Sequence, residues 1–203
     1  MIKNKKLEIF EFDQLFNIVF LNFNKKCLMG REKTRFLYQQ LMAVEKKCKT
    51  AEIGVFEGFS SKIIALCNGN NSHYCYDTFC GVTKSDSNID KHVDGDFNCP
   101  IEKVQRNISL NNVIYKKGIF PETFDEGNLE FSFVHSDTDT YFGTKSSLDC
   151  FSKIMCEKGK ILFDDYKWKY CPGVEKAISE FLSSNKNYSS LVNGNQCVLT
   201  RVS

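Results

Sequence analysis

Residues 51–61 read AEIGVFEGFSS and residues 73–77 read HYCYD. The apolar run from Ala51 to Val55 breaks at glycines and passes into an amphipathic stretch, Ser60 to Leu66. A second apolar run, His73 to Tyr76, follows. Short apolar runs separated by helix-length amphipathic stretches mark a parallel sheet covered on both faces, because parallel neighbours need a crossover between them. The alternation continues downstream. Further strands are predicted at Val113 to Lys116, Phe131 to His135, Lys160 to Phe163 and Gln196 to Thr200, and helices at Ile101 to Ile108, Thr144 to Met155 and Val174 to Leu182.

Upstream of Ala51 the period is different. Leu7 to Leu28 carries Phe10, Phe12, Leu15, Phe16, Val19, Phe20 and Phe23 at spacings near three and four, which suits an amphipathic helix. Arg31 to Lys47 reads as a second helix, with Leu37, Leu41 and Val44 on one face. The expected architecture is a single α/β domain over residues 1–203, with a mostly parallel central sheet flanked by helices and residues 1–48 as an N-terminal helical cover. That cover either lies on the sheet or pairs with another subunit, giving a homo-oligomer. Val82 to Pro100, rich in Ser, Asn, Asp and Gly, is the long loop and the expected mobile element.

With 203 residues, 42% of them hydrophobic, the chain can bury a core that needs no staples. Its 27 Lys and Arg nearly balance 25 Asp and Glu, and the basic residues come in short pairs such as Lys5-Lys6 and Lys25-Lys26. This is a mixed, solvated surface without the basic stripe of a nucleic-acid or RNA-modifying protein. The 10 cysteines include no C-x-x-C pair, and the spacing of Cys75 and Cys80 alone is a weak zinc signal. With no hydrophobic leader and no apolar run near the about 18 residues of a membrane span, reduced thiols in a soluble cytoplasmic protein are expected.

In open parallel sheets ligands sit beyond the carboxyl ends of the strands. After the first strand, Gly54 and Gly58 let the backbone turn and approach a ligand, and Ser60 is placed to cap the next helix. A dinucleotide fingerprint needs glycine where Glu52 stands, since the pyrophosphate touches backbone there. A carboxylate repels that anion but suits an ammonium or sulfonium, favouring S-adenosylmethionine over NAD. An ordinary strand-to-helix turn explains the same glycines about as often. Asp77 ends the second strand about 20 residues beyond Gly58, where nucleotide-binding folds place an acid for ribose hydroxyls, although a turn cap at Asp77-Thr78 is the competing reading.

The stretch FVHSDTDTY, residues 133–141, places Asp137 and Asp139 two apart, so on extended chain both project to one side. ILFDDY, residues 161–166, ends a second hydrophobic strand with Asp164 and Asp165. Each pair alone is explained by a turn or a helix cap. If the two strands adjoin, at least three carboxylates converge, and they repel one another unless a cation compensates them. An all-oxygen set suits Mg²⁺ or a similar hard divalent ion better than zinc. His135 reads as a buried strand residue.

On these residues the chain resembles the macrocin O-methyltransferase family, the S-adenosylmethionine- and metal-dependent sugar O-methyltransferases known from antibiotic biosynthesis. The likeness runs from about Met29 to Arg201 through AEIGVFEG, YDTFCGV, GDF, KKGIFPETF, FVHSDTDTY, KGKILFDDY and PGVEKAISEF, in that order. It implies a Rossmann-like class I methyltransferase fold. It implies that Glu52, Gly54, Gly58 and Ser60 line the methionine side of the cofactor, that Asp77, Thr78 and Phe79 hold its ribose side, and that Phe56 and Gly118 lie beside them. Asp137, Asp164 and Asp165 are the implied ligands of Mg²⁺. Asp139 is the implied general base or hydroxyl ligand, with Tyr141 and Tyr166 near a small sugar or glycan acceptor. A catechol or phenol methyltransferase and a catalytically silent binding module remain the alternatives. No nucleic-acid or membrane partner is implied.

Overall fold

The computed structural model describes residues 12–45, 47–126 and 128–202, so the part of the first predicted helix before Phe12 lies outside the described residues. α1 spans Phe12–Asn22 and buries Leu15, Phe16 and Val19 on one face. The helix cannot continue to Leu28, because Asn24 and Lys25 take left-handed φ of 52° and 60°. α2 spans Gly30–Met42 and buries Phe36, Leu37 and Leu41. Both helices use the spacing that put their apolar residues on one stripe.

From Lys49 the chain alternates: β1 Lys49–Ile53, α3 Phe59–Cys67, β2 His73–Asp77, α4 Ile101–Ile108, β3 Val113–Lys117, β4 Phe131–Ser136, α5 Tyr141–Phe151, β5 Met155–Phe163 and α6 Pro172–Ser184, then β6 Tyr188–Asn193 and β7 Gln196–Arg201. The strands form one sheet in the order β3-β2-β1-β4-β5-β7-β6. β1 to β5 pair in parallel, while β7 runs antiparallel to β5 and β6 antiparallel to β7. Side chains alternate across it. Ala51, Ile53, Tyr76, Val134 and Phe163 face the cluster closed by Leu148 and Phe151 of α5 and Val174 and Ile178 of α6. Phe133, Leu162 and Val198 face the opposite cluster, closed by α1, α2 and α3. The apolar face of α1 thus covers the sheet.

Two expectations are corrected. The helix predicted over Thr144 to Met155 begins at Tyr141 and stops at Phe151, and Met155 instead opens a longer β5. β6 was not anticipated, because only Tyr188 of its residues is buried and an exposed edge strand carries little apolar pattern. In the long loop, Val82 and Gly95 exchange backbone hydrogen bonds with Asp96 and Val82, at 2.8 and 2.9 Å. Asp90, itself buried, accepts from the Tyr141 amide at 3.0 Å and so ties the loop to the start of α5. No helix among the described residues is long and apolar enough to cross a membrane.

Candidate active site

The central strands end at one level and are stitched there. The Gly54 amide donates to the Tyr76 carbonyl at 3.0 Å, Asp137 to Ile53 at 2.9 Å, Asp164 to Ser136 at 3.0 Å and Gly118 to Asp77 at 3.0 Å. β1 and β4 adjoin where the sheet order reverses, the place at which such sheets open a crevice. Gly54 has φ of +81°, and a Cβ built on it lies 1.9 Å from the Asp137 carbonyl oxygen. Only glycine permits that approach.

The cleft above is lined on one side by Gly54, Phe56, Asp77, Thr78, Gly118 and Phe120. Asp77 organises this side. Its Oδ2 accepts the amides of Val55 at 2.6 Å and Phe56 at 3.1 Å, and its Oδ1 that of Phe79 at 2.7 Å. Burial raises its pKa, and these three donors oppose the rise. A carboxylate offers about four lone-pair sites, so Asp77 retains capacity for a ligand hydroxyl.

On the other side Asp137, Asp139, Asp164 and Asp165 line the cleft together. This follows from β4 and β5 being parallel neighbours with Ser136 opposite Phe163. Oxygens of Asp137, Asp139 and Asp165 lie within 4.8 Å of one another. Burial, then the charges of Asp164, Asp139 and Asp165, pushes the Asp137 pKa well above the carboxylate range. Burial and the Asp165 charge push Asp139 up to about 8. The donors are carboxylates crowded enough to repel, a set that suits a hard divalent cation.

Lys33 of α2 also reaches this cluster. Its Nζ lies 2.8 Å from Asp164 Oδ1 and 2.8 Å from Asp165 Oδ1. Burial lowers the pKa of the Lys33 ammonium, but the two carboxylates outweigh it and the net shift is upward. Nothing in the sequence marks this role, since Lys33 sits among the charged positions of an amphipathic helix. Phe97, Phe142, Leu28 and Met29 of the lining were also not singled out, each being an apolar residue with an ordinary packing explanation.

Other predicted residues are placed elsewhere. Glu52 is fully buried on the face beneath α3, where Oε1 lies 2.6 Å from His135 Nδ1 and Oε2 accepts from Ser61 Oγ. Burial raises the Glu52 pKa, but the His135 contact outweighs it and holds the group below its ordinary value. Ser60 lies in α3 and makes no cap hydrogen bond; Gly58 occupies the cap position instead, with φ of 91°. Phe79 packs with Val55, Cys75 and Val104 beneath the β2 end. The Tyr141 hydroxyl donates to Glu180 at 2.7 Å, and Tyr166 packs against the α6 side of the core. Neither tyrosine lines the cleft. Cys75 is buried and Cys80 exposed, and no disulfide joins cysteines among the described residues.

No family model and no curated protein matches this sequence. Solved structures do match the fold. The O-methyltransferase NovP superposes with a TM-score of 0.77 at 15% identity, over 95% of this chain and 98% of that one. The calicheamicin methyltransferase CalS11 gives 0.68 at 15% identity, over 93% and 91%. An O-methyltransferase from Bacillus cereus, in complex with SAH, gives 0.62 at 11% identity, over 95% and 90%. The fold is that of the class I methyltransferases. Within that fold the glycine turn after β1 and the acid after β2 form one wall of the crevice, and the acids after β4 and β5 form the other.

Proposed function

We propose that this chain is an S-adenosylmethionine-dependent O-methyltransferase that uses a divalent cation and acts on a sugar hydroxyl. The observation that carries the reading is the meeting of four carboxylates, Asp137, Asp139, Asp164 and Asp165, in the same crevice as Gly54 and Asp77. In support of the donor, the B. cereus relative of the fold is in complex with SAH. In support of a sugar acceptor, CalS11 is a TDP-rhamnose 3'-O-methyltransferase. Vicinal sugar hydroxyls also make a chelating pair suited to a cation held by acids.

Asp137, Asp164 and Asp165 would hold the ion, and Lys33 supplies a neighbouring positive charge that orients Asp164 and Asp165. Bound together, a divalent ion lowers the pKa of the acceptor hydroxyl while S-adenosylmethionine presents a methyl group on a sulfonium. Asp139, grouped with Asp137 and Asp165 in the cleft, is placed to take the hydroxyl proton. Gly54 leaves the β1 end open for the donor, and Asp77 receives its ribose. Holding both reactants across one crevice supplies orientation, which can be worth several kcal/mol of a barrier, roughly 7–11 at the upper end.

The test is a methyl-transfer assay over nucleotide sugars, glycans and catechols with Mg²⁺ or Mn²⁺. Turnover of a sugar that disappears in EDTA is expected. Asp137→Ala and Asp164→Ala are expected to lower turnover at least about 1,000-fold, corresponding to about 4 kcal/mol, with donor binding by calorimetry within a few-fold of the parent. Full activity in EDTA removes the cation from the mechanism, and turnover of catechols alone removes the sugar.

A further inference from the structure

One buried nitrogen next to the acids has no partner. His135 on β4 is fully buried, and its Nε2 makes no hydrogen bond. Leaving such a group unsatisfied is unfavourable, so a partner is expected when the site is filled. The ring is anchored from behind by Glu52 Oε1, 2.6 Å from Nδ1, and Glu52 is itself held by Ser61. With the carboxylate as acceptor, Nδ1 carries the proton and Nε2 presents its lone pair.

The direction of that lone pair follows from the strands. His135 lies in β4, and Asp137 is the first residue past its end; Asp164 is the first residue past the end of β5, whose Leu162 pairs with His135. The two acids therefore leave adjoining strand ends beside the His135 ring. A ring nitrogen of His135 and oxygens of Asp137 and Asp164 lie within 4.8 Å of one another. Since Glu52 occupies Nδ1, Nε2 is the nitrogen available to the group.

We propose that His135 is a direct ligand of the cation through Nε2, beside Asp137 and Asp164, so that the site prefers Fe²⁺ to Mg²⁺. The inference rests on the metal-dependent reading above and puts His135 in the place given there to Asp165, which changes the ligand set from all oxygen to mixed nitrogen and oxygen. Glu52, His135 and the ion form a carboxylate–histidine–metal arrangement, in which the carboxylate fixes tautomer and ring orientation. Imidazole suits later divalent metals, whereas Mg²⁺ prefers oxygen donors. Asp139 and Asp165 are left facing the cleft, available to the acceptor.

The experiment is pulsed electron paramagnetic resonance on the full chain loaded with Mn²⁺. Modulation from one directly bound imidazole nitrogen is expected, changing to the ¹⁵N pattern when the protein is grown with ¹⁵N-histidine. Anaerobic competition is expected to show Fe²⁺ binding roughly tenfold or more tighter than Mg²⁺. In His135→Gln the modulation disappears and Mn²⁺ affinity falls at least about tenfold. Labelling of the unaltered protein keeps the test valid if that variant misfolds. Bound Mn²⁺ without nitrogen modulation overturns the His135 assignment and leaves the metal-dependent reading standing. No loss of the free Mn²⁺ signal on adding protein overturns both.

Discussion

Gly54 is the residue on which the crevice depends most directly. A methyl group there meets the Asp137 carbonyl at 1.9 Å, and φ of +81° disfavours any L side chain. The left-handed backbone costs roughly 1–2 kcal/mol, and relieving the clash adds a comparable amount. Gly54→Ala is expected to lower stability by at least about 2 kcal/mol in urea unfolding and to abolish donor binding. A variant as stable as the parent contradicts this account of the approach. His73 makes a second residue-scale prediction. It is fully buried, Nδ1 lies 3.0 Å from Thr50 Oγ1, and burial lowers its pKa from 6.5 to about 4. Between those values the unfolded chain binds the extra proton, so stability falls as pH drops through the window, by about 1.4 kcal/mol per pH unit from this group. His73→Gln is expected to flatten the dependence of the urea midpoint between pH 6.5 and 4; an unchanged slope assigns the acid sensitivity elsewhere. The acids at 137, 139, 164 and 165 were legible in the sequence because carboxylates ending apolar runs are rarely idle. Glu52 was legible as unusual, but its orientation was not: a strand residue faces either side, and here it turns to His135 and Ser61.

At the scale of elements, α2 does more than cover apolar surface. Its Lys33 is the cationic partner of Asp164, whose side chain is 2% exposed at the end of β5. Removing one partner of a buried pair costs about 3–5 kcal/mol, less where solvent reaches one side, as it does at Lys33. Lys33→Met is expected to destabilise the cation-free protein by about 1–3 kcal/mol in guanidinium unfolding, with most of the loss recovered on adding Mn²⁺. Equal stability of variant and parent in both conditions discards this role. The parallel strands and their helices were legible because each buried face imposes its own period. β6 was not, since with only Tyr188 buried the strand is held by backbone pairing to β7. The start of β5 was missed because Ile154, Met155 and Cys156 form a short apolar run that suits a helix as well as a strand.

Across the whole molecule, the order of strands gathers acids that lie far apart in sequence, and that gathering sets a stability debt which the proposed cation would relieve. Burial and mutual charge raise the pKa values of Asp137 and Asp139. A cation at 100 times its dissociation constant stabilises the folded state by about 2.7 kcal/mol. For a domain of this size that corresponds to a rise of roughly 5–10 °C in Tm. Differential scanning calorimetry in EDTA and in Mn²⁺ checks it, and coincident transitions contradict a filled site. The gathering itself was legible only conditionally, because adjacency of β4 and β5 is a property of topology and is not written in either segment.

The placement of Lys33 bears on any attempt to redirect this protein to another acceptor. Exchanging the N-terminal helices for those of a relative is the obvious route, since Leu28 and Met29 line the crevice. Such a graft also removes the ammonium that Asp164 and Asp165 share. Chimeras that preserve a lysine or arginine at this point on the new helix should fold and load, whereas those that bring only a matching apolar face will inherit a crowded, uncompensated anion at their centre.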